Sequence, residues 1–144
     1  MRIQLLLLGK TRRPEIRGLL EDYAGRIRRR FAELEVRELR EDSPAAFRKV
    51  EVAPGATVVL LDAGGKEYNS EQFAGWLRGC RDRGAREIVF LCGAAGGFPD
   101  RLARRAGMRM SLSPLTFSHE LARVMLAEQL YRAFTLLAGH PYPK

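Results

Sequence analysis

Cysteine is scarce in this chain. Only Cys80 and Cys92 occur among 144 residues. They form no C-x-x-C pair, and two such ligands make no zinc site without others. Cys92 lies in an apolar run and is expected to be a buried thiol, as suits a reducing compartment. Histidine is equally scarce, with His119 and His140 alone. No Ser-His-Asp, metal or paired-carboxylate constellation can be placed, so no metal is expected and the chemistry calls for little acid–base machinery. Long apolar runs are missing too. The opening Ile3–Leu8 stretch stops at Gly9-Lys10, too short for a membrane span and without the small-residue cleavage site of a signal peptide. A cytoplasmic protein with no membrane partner is expected.

What is present is arginine. Lysine supplies only four of the 25 basic residues, against 17 acidic ones, for a formal net charge of +8. Arginine offers a planar fork of donors to phosphate and stacks on bases. A GC-rich genome also inflates Arg, Ala and Gly, and from composition alone the two readings weigh about equally. The length fits one domain over 1–144 with a core of its own.

Ile3–Leu8, Leu34–Leu39, Thr57–Leu61, Glu87–Cys92 and Met108–Leu112 read as strands. Between them, helices are expected over Glu15–Arg30, Ser43–Val50, Ser70–Arg83 and Pro99–Ala106, and a long one over His119–Ala138. Pro14 sits at the first helix start, Asn69 or Ser70 and then Ser118 are caps, and Gly84 is a stop. This alternation predicts an α/β fold with a mainly parallel sheet of five or six strands flanked by helices. Ligands of such sheets bind beyond the carboxyl ends of strands. The rule selects the loops after Leu61, Cys92 and Leu112.

In the first, Asp62-Ala63-Gly64-Gly65-Lys66, a plain turn is the better reading taken alone. The second, Gly93-Ala94-Ala95-Gly96-Gly97, matches neither G-x-G-x-x-G nor a Walker loop. Its small side chains leave backbone groups exposed, which suits a neutral heterocycle such as adenine better than a phosphate. The third, Ser113–Ser118, is unusually apolar for a loop. Leu115 and Phe117 should be buried, either covering the core or walling a pocket. Glu128 and Arg132 stand at i,i+4 on the last helix. A surface ion pair is the plain reading, but their apolar neighbours point to partial burial.

These segments, in this order and spacing, resemble one family. The opening strand Ile3-Gln4-Leu5, Leu61-Asp62-x-x-Gly65-Lys66, Cys92–Gly97, Leu112–Leu121 with Arg123, Glu128–Ala133 and His140-Pro141-Tyr142 together cover nearly the whole chain. They resemble the ribosomal RNA large subunit methyltransferase H family of SPOUT methyltransferases, which act on a pseudouridine of 23S rRNA. The resemblance implies a deep C-terminal trefoil knot, otherwise nearly absent from proteins, and a homodimer. It implies S-adenosylmethionine held by backbone around Leu61, Gly93, Leu112, Ser113, Pro114, Leu115, Thr116 and Phe117.

It further implies methyl transfer to N3 of the pseudouridine, with Arg132 or Tyr142 favouring the imide anion. Members usually end in Pro-Tyr-His and a basic residue, whereas here Pro143 replaces that histidine. Proline can donate neither a proton nor a backbone N–H, leaving Tyr142, with His119 or His140 as substitutes. Arg12, Arg13 and Arg17, with Arg101, Arg104 and Arg105, are the candidate RNA contacts as a group, although for any single one a solvated helix face is the better reading. With no separate RNA-binding domain, a structured target is expected: the large subunit or the assembled ribosome. The rival readings are a non-enzymatic RNA- or ribosome-binding module, betrayed by poor S-adenosylmethionine binding, and a flavodoxin-like domain, betrayed by a flavin absorption band.

Overall fold

Two apolar strands, β1 (Arg2–Leu8) and β4 (Glu87–Cys92), form the middle of the molecule, and every residue from Ile3 to Leu8 and from Glu87 to Cys92 is buried. A computed structural model describes residues 1–40, 52–93 and 98–142, with only the backbone of Leu102. The expected helix Ser43–Val50 and residues Ala94–Gly97 and Pro143 lie outside them. The sheet runs β2-β1-β4-β3-β5, with β2 at Glu33–Leu39, β3 at Thr57–Glu67 and β5 at Met108–Ser111. All four strand pairings are parallel. A parallel sheet is covered on both faces, which is why its inner strands read as unbroken apolar runs.

Strand pleating sends alternate residues to opposite faces. Ile3, Leu5 and Leu7 join Ile88, Phe90 and Val59 on one face. Three helices cover it: α1 (Pro14–Arg30), α2 (Ser70–Asp82) and α4 (His119–Ala138), with α4 packed against both others. Leu6, Leu8, Leu39, Val58, Leu60, Val89 and Leu91 form the opposite core. Phe98 and Ala103 lie against that core, beside the short α3 (Asp100–Ala103).

The helix ends follow local chemistry. Pro14 opens α1. Asn69 caps α2 in a capping box with Gln72, each side chain bonded to the other's backbone N–H at 2.7 and 2.9 Å. Ser118 caps α4, and Gly139 closes it in the left-handed conformation that glycine adopts most easily. Of the expected apolar positions of α4, Val124, Leu130 and Phe134 are buried, while Leu121 and Met125 are exposed.

Most boundaries fall within a residue of expectation, and three differences bear on the site. α3 is shorter than Pro99–Ala106, and β5 stops at Ser111. β3 does not end at Leu61: it runs through Asp62–Lys66, with a register shift against β5 between Leu61 and Lys66. The glycine pair that reads as a turn is an irregularity inside the strand. A Cβ on Gly65 would lie 2.7 Å from the backbone of Arg109 and Met110. Only glycine allows the two strands to approach so closely there.

Candidate functional site

The strand ends and the segment after β5 enclose an open cavity of about 290 Å³. Leu61 from β3, Gly93 after β4, and Leu112, Ser113, Leu115, Thr116 and Phe117 after β5 all line it. The three places chosen by the strand-end rule therefore meet in space. Pro114 does not line the cavity. His119 and Ala122, from the first turn of α4, complete one wall.

The lining segment is shaped by its serines. Ser111 Oγ donates to the Ser113 carbonyl at 2.9 Å, and Ser113 Oγ accepts from the Leu115 N–H at 2.9 Å. Phe117 is half-buried, but Leu115 is 73% exposed, against expectation. It lines the cavity mouth with its side chain toward solvent, its backbone N–H held in the turn by Ser113.

Asp62, Ala63, Cys92, Phe98, Ser111 and Ala122 also line the cavity; the first three lie in segments the sequence pattern selected, although none was named as a site residue. Asp62, Cys92 and Ser111 follow from taking the last residues of each strand with the loop after it; Phe98 and Ala122 arrive by tertiary packing alone. The Asp62 carboxylate accepts from the Gly64 N–H at 3.1 Å and from Arg109 at 2.9 Å, so it is already engaged. Burial pushes the Cys92 thiol up to about 12, only slightly offset by Arg123. It therefore stays a thiol at neutral pH, and the thiolate is the nucleophile in cysteine chemistry. Among the described residues no cluster of three His, Cys, Asp or Glu side chains is placed to hold a metal.

Beneath the cavity lies a residue the sequence pattern did not expose. Arg123 is 0% exposed. Its guanidinium donates to the Leu8 carbonyl at 2.7 Å and to Thr11 Oγ1 at 2.8 Å, tying the end of β1 to α4. Glu120, one turn earlier, accepts from the Arg12 and Arg13 N–H groups at 3.0 and 3.1 Å. Those two backbone bonds hold its carboxyl below the usual range.

Arg12, Arg13 and Arg17 thus sit beside the start of α4, all exposed, with Arg17 donating to the Thr11 carbonyl at 2.6 Å. Arg101, Arg104 and Arg105 are also exposed and closely follow Phe98, which lines the cavity.

Arg132 and Tyr142 lie elsewhere. Arg132 is 13 residues beyond His119, roughly 20 Å along the helix at 1.5 Å per residue. It belongs to a second cluster. Arg132 Nε donates to Glu128 Oε1 at 3.0 Å, the Tyr142 hydroxyl donates to the same oxygen at 2.9 Å, and the Arg132 guanidinium lies 5.6 Å from the Tyr142 ring centre. The Glu128 and Arg132 side chains are 15% and 28% exposed, as the partial-burial reading expected. Glu128 raises the arginine. Burial raises the Tyr142 phenol, with the Tyr23 hydroxyl and Glu128 adding to the effect. His140 is not at the cavity; its Nδ1 accepts from the Tyr142 N–H at 3.2 Å. One copy of the chain thus brings His119 to the cavity and keeps Arg132 and Tyr142 away.

The cavity provides small side chains, main-chain groups and an apolar wall, with no activated nucleophile. Such a site can hold and orient a heterocycle.

Comparison with known proteins agrees. A family model described as "Predicted SPOUT methyltransferase" matches residues 1–143. A Pelobacter propionicus protein named "Ribosomal RNA large subunit methyltransferase H" is 41% identical over 152 aligned positions, covering 99% of both chains. A Sorangium cellulosum protein of the same name is 41% identical, again over 99% of each. Among solved structures, a probable methylase family protein of Haemophilus influenzae superposes with a TM-score of 0.57 at 11% identity, over 99% of this chain and 70% of that one. A probable methyltransferase of Bordetella pertussis gives 0.55 at 14% identity, over 92% and 96%. At such identities these two speak to the fold alone. The match across the chain, with relatives near 40% identity and full coverage, establishes that this protein belongs to the SPOUT methyltransferase family.

Proposed function

We propose that the chain methylates N3 of a pseudouridine in 23S rRNA, using S-adenosylmethionine and acting in the cytoplasm on the large subunit or assembled ribosome. The names of its relatives support large-subunit rRNA as substrate. The carrying observation is the meeting of Leu61, Gly93 and Thr116 around one cavity at the strand ends. Its apolar wall and main-chain groups fit a neutral adenine and a thioether-like chain, and Leu112, Ser113, Leu115 and Phe117 would hold them. When bound, S-adenosylmethionine supplies an electrophilic methyl group on a sulfonium.

The chain's own task is then positioning, which is worth on the order of 7–11 kcal/mol when two reactants are aligned. Arg132, kept charged by Glu128, favours the imide anion of the target base. Tyr142, kept protonated, acts as a hydrogen-bond donor and not a base. The two reach a cavity only if a second copy brings them, which supports a homodimer. Leu115, Leu121 and Met125, all exposed near the cavity and the start of α4, form an apolar surface for that copy. The knotted crossing of the family would lie in the segment joining β5 to α4.

Two measurements test this reading. Calorimetric titration with S-adenosylmethionine should show saturable binding; a non-enzymatic binding module would show none. Mass spectrometry of 23S rRNA from a strain lacking the protein should miss one methylated pseudouridine, and an unchanged modification pattern would reject the assignment.

A further inference from the structure

At the opposite end of the sheet, where the strands begin, lies a cavity of about 460 Å³ that the methyl-transfer reading does not use. Phe31, Phe134 and Leu137 supply apolar lining, and Arg30, Arg81 and Arg86 line it with them. No acidic residue lines it, and among the described residues none of these three arginines is in an ion pair. Arg30 meets only the ring of His140, at 3.3 Å. Arginines near the ends of α1 and α2 partly answer the negative ends of those helices. That role requires no cavity between them, and it leaves an aromatic-walled hollow unexplained.

We propose that this cavity is a second RNA contact, taking one unpaired nucleotide of the ribosomal substrate away from the base that is methylated. The volume lies within the range of about 300–1,000 Å³ typical of small-molecule sites. Unpaired bases are recognised by aromatic faces and guanidinium planes, and phosphates by arginine. Phe31, half-buried and backed by the stacked ring of the buried Phe134 at 5.6 Å, provides the first, Arg30, Arg81 and Arg86 the second. The chain's net charge of +8 matches such a partner. The inference rests on the proposed RNA substrate, but not on which base is modified.

The probe is a fluorescein-labelled 12-nucleotide RNA of mixed sequence, single-stranded or annealed to its complement, followed by anisotropy. Arg81→Ala/Arg86→Ala and, separately, Leu137→Glu should each weaken single-strand binding roughly tenfold, and the duplex several-fold less. The double variant should also flatten the salt dependence by about 1.4 log units per decade, at about 0.7 per lost phosphate contact. Calorimetric binding of S-adenosylmethionine should not change, so failure here is distinguishable from failure of the methyltransferase reading. Unchanged affinity and salt slope would overturn the proposal, as would absence of binding by the unmodified protein. Equal losses on single strand and duplex would reduce the site to a general basic patch. A change in sedimentation with RNA binding intact would assign the face to a contact between copies.

Discussion

The two ends of α4 are built on opposite principles. At its start, the cavity is walled by main chain, glycine and apolar side chains, and its charged neighbours, Arg123 and Glu120, are spent on holding backbone in place. At its far end, Glu128, Arg132 and Tyr142 present charge and a phenol, locked to one another and away from that cavity. In the proposed reading the first arrangement binds a ligand by shape and the second offers electrostatics to a reacting base. One chain holds the two apart, and the proposed reading joins them through a second copy.

The contrast breaks most severely at Arg123. Arg123→Met keeps much of the volume but leaves the Leu8 carbonyl and Thr11 hydroxyl without their donors, at about 1–3 kcal/mol for each unsatisfied group. Arg123→Ala adds a cavity on top of this, for a total of at least roughly 4 kcal/mol. At about 2–4 °C per kcal/mol for a chain this size, thermal melting should fall by roughly 10 °C. A loss below 1 kcal/mol would show that the cavity floor does not depend on this buried cation.

Gly65 tests the shape side alone. Gly65→Ala drives a methyl group into the backbone of Arg109 and Met110, whereas the nearest neighbour of a Cβ on Gly64 is Asp62 Oδ1 at 3.8 Å. The first variant should lose about 1–3 kcal/mol and bind S-adenosylmethionine more weakly. Gly64→Ala is the control and should retain wild-type binding. Equal behaviour would mean that the β3–β5 approach does not shape the cavity wall.

Much of this organisation was legible beforehand because it depends on local pattern. β1 and β4 are unbroken apolar runs, so their burial on both faces follows directly. The strand-end rule then chose the three lining segments without knowledge of their distance in space. What failed was tertiary. The Gly64-Gly65 pair has the local signature of a turn, and only the neighbouring β5 makes it part of a strand. Arg123 looks like any other arginine on a helix until the end of β1 arrives beneath it. Leu115 looks buried by its apolarity, but among the described residues it stays largely exposed.

The electrostatic end is sharpened by Tyr142. Because its phenol is raised above its usual 10.0, the folded state prefers the protonated form. The corresponding stability is fully present below pH 10 and is lost as pH rises through the higher folded value. Denaturant melts should therefore weaken above pH 10, and Tyr142→Phe should lessen that fall while costing about 1 kcal/mol at neutral pH for the bond to Glu128. If the pH dependence were the same in the variant, Tyr142 would not be its source.

The smallest effect belongs to Glu120, which joins the shape side to the exposed Arg12 and Arg13. Its carboxyl is held below its usual 4.5 by the two N–H groups it accepts from. The sign is opposite to that of Tyr142: the contribution is present above the unfolded value and is lost as pH falls through the lower folded one. Glu120 is largely solvated, so global melting should hardly register it. The local signature is amide exchange at Arg12 and Arg13, which should quicken below pH 4.5 relative to the intrinsic rate and be already fast in Glu120→Gln at neutral pH. Protection that persists through acidification would mean that Arg17, which donates to the Thr11 carbonyl, holds the loop without help from Glu120.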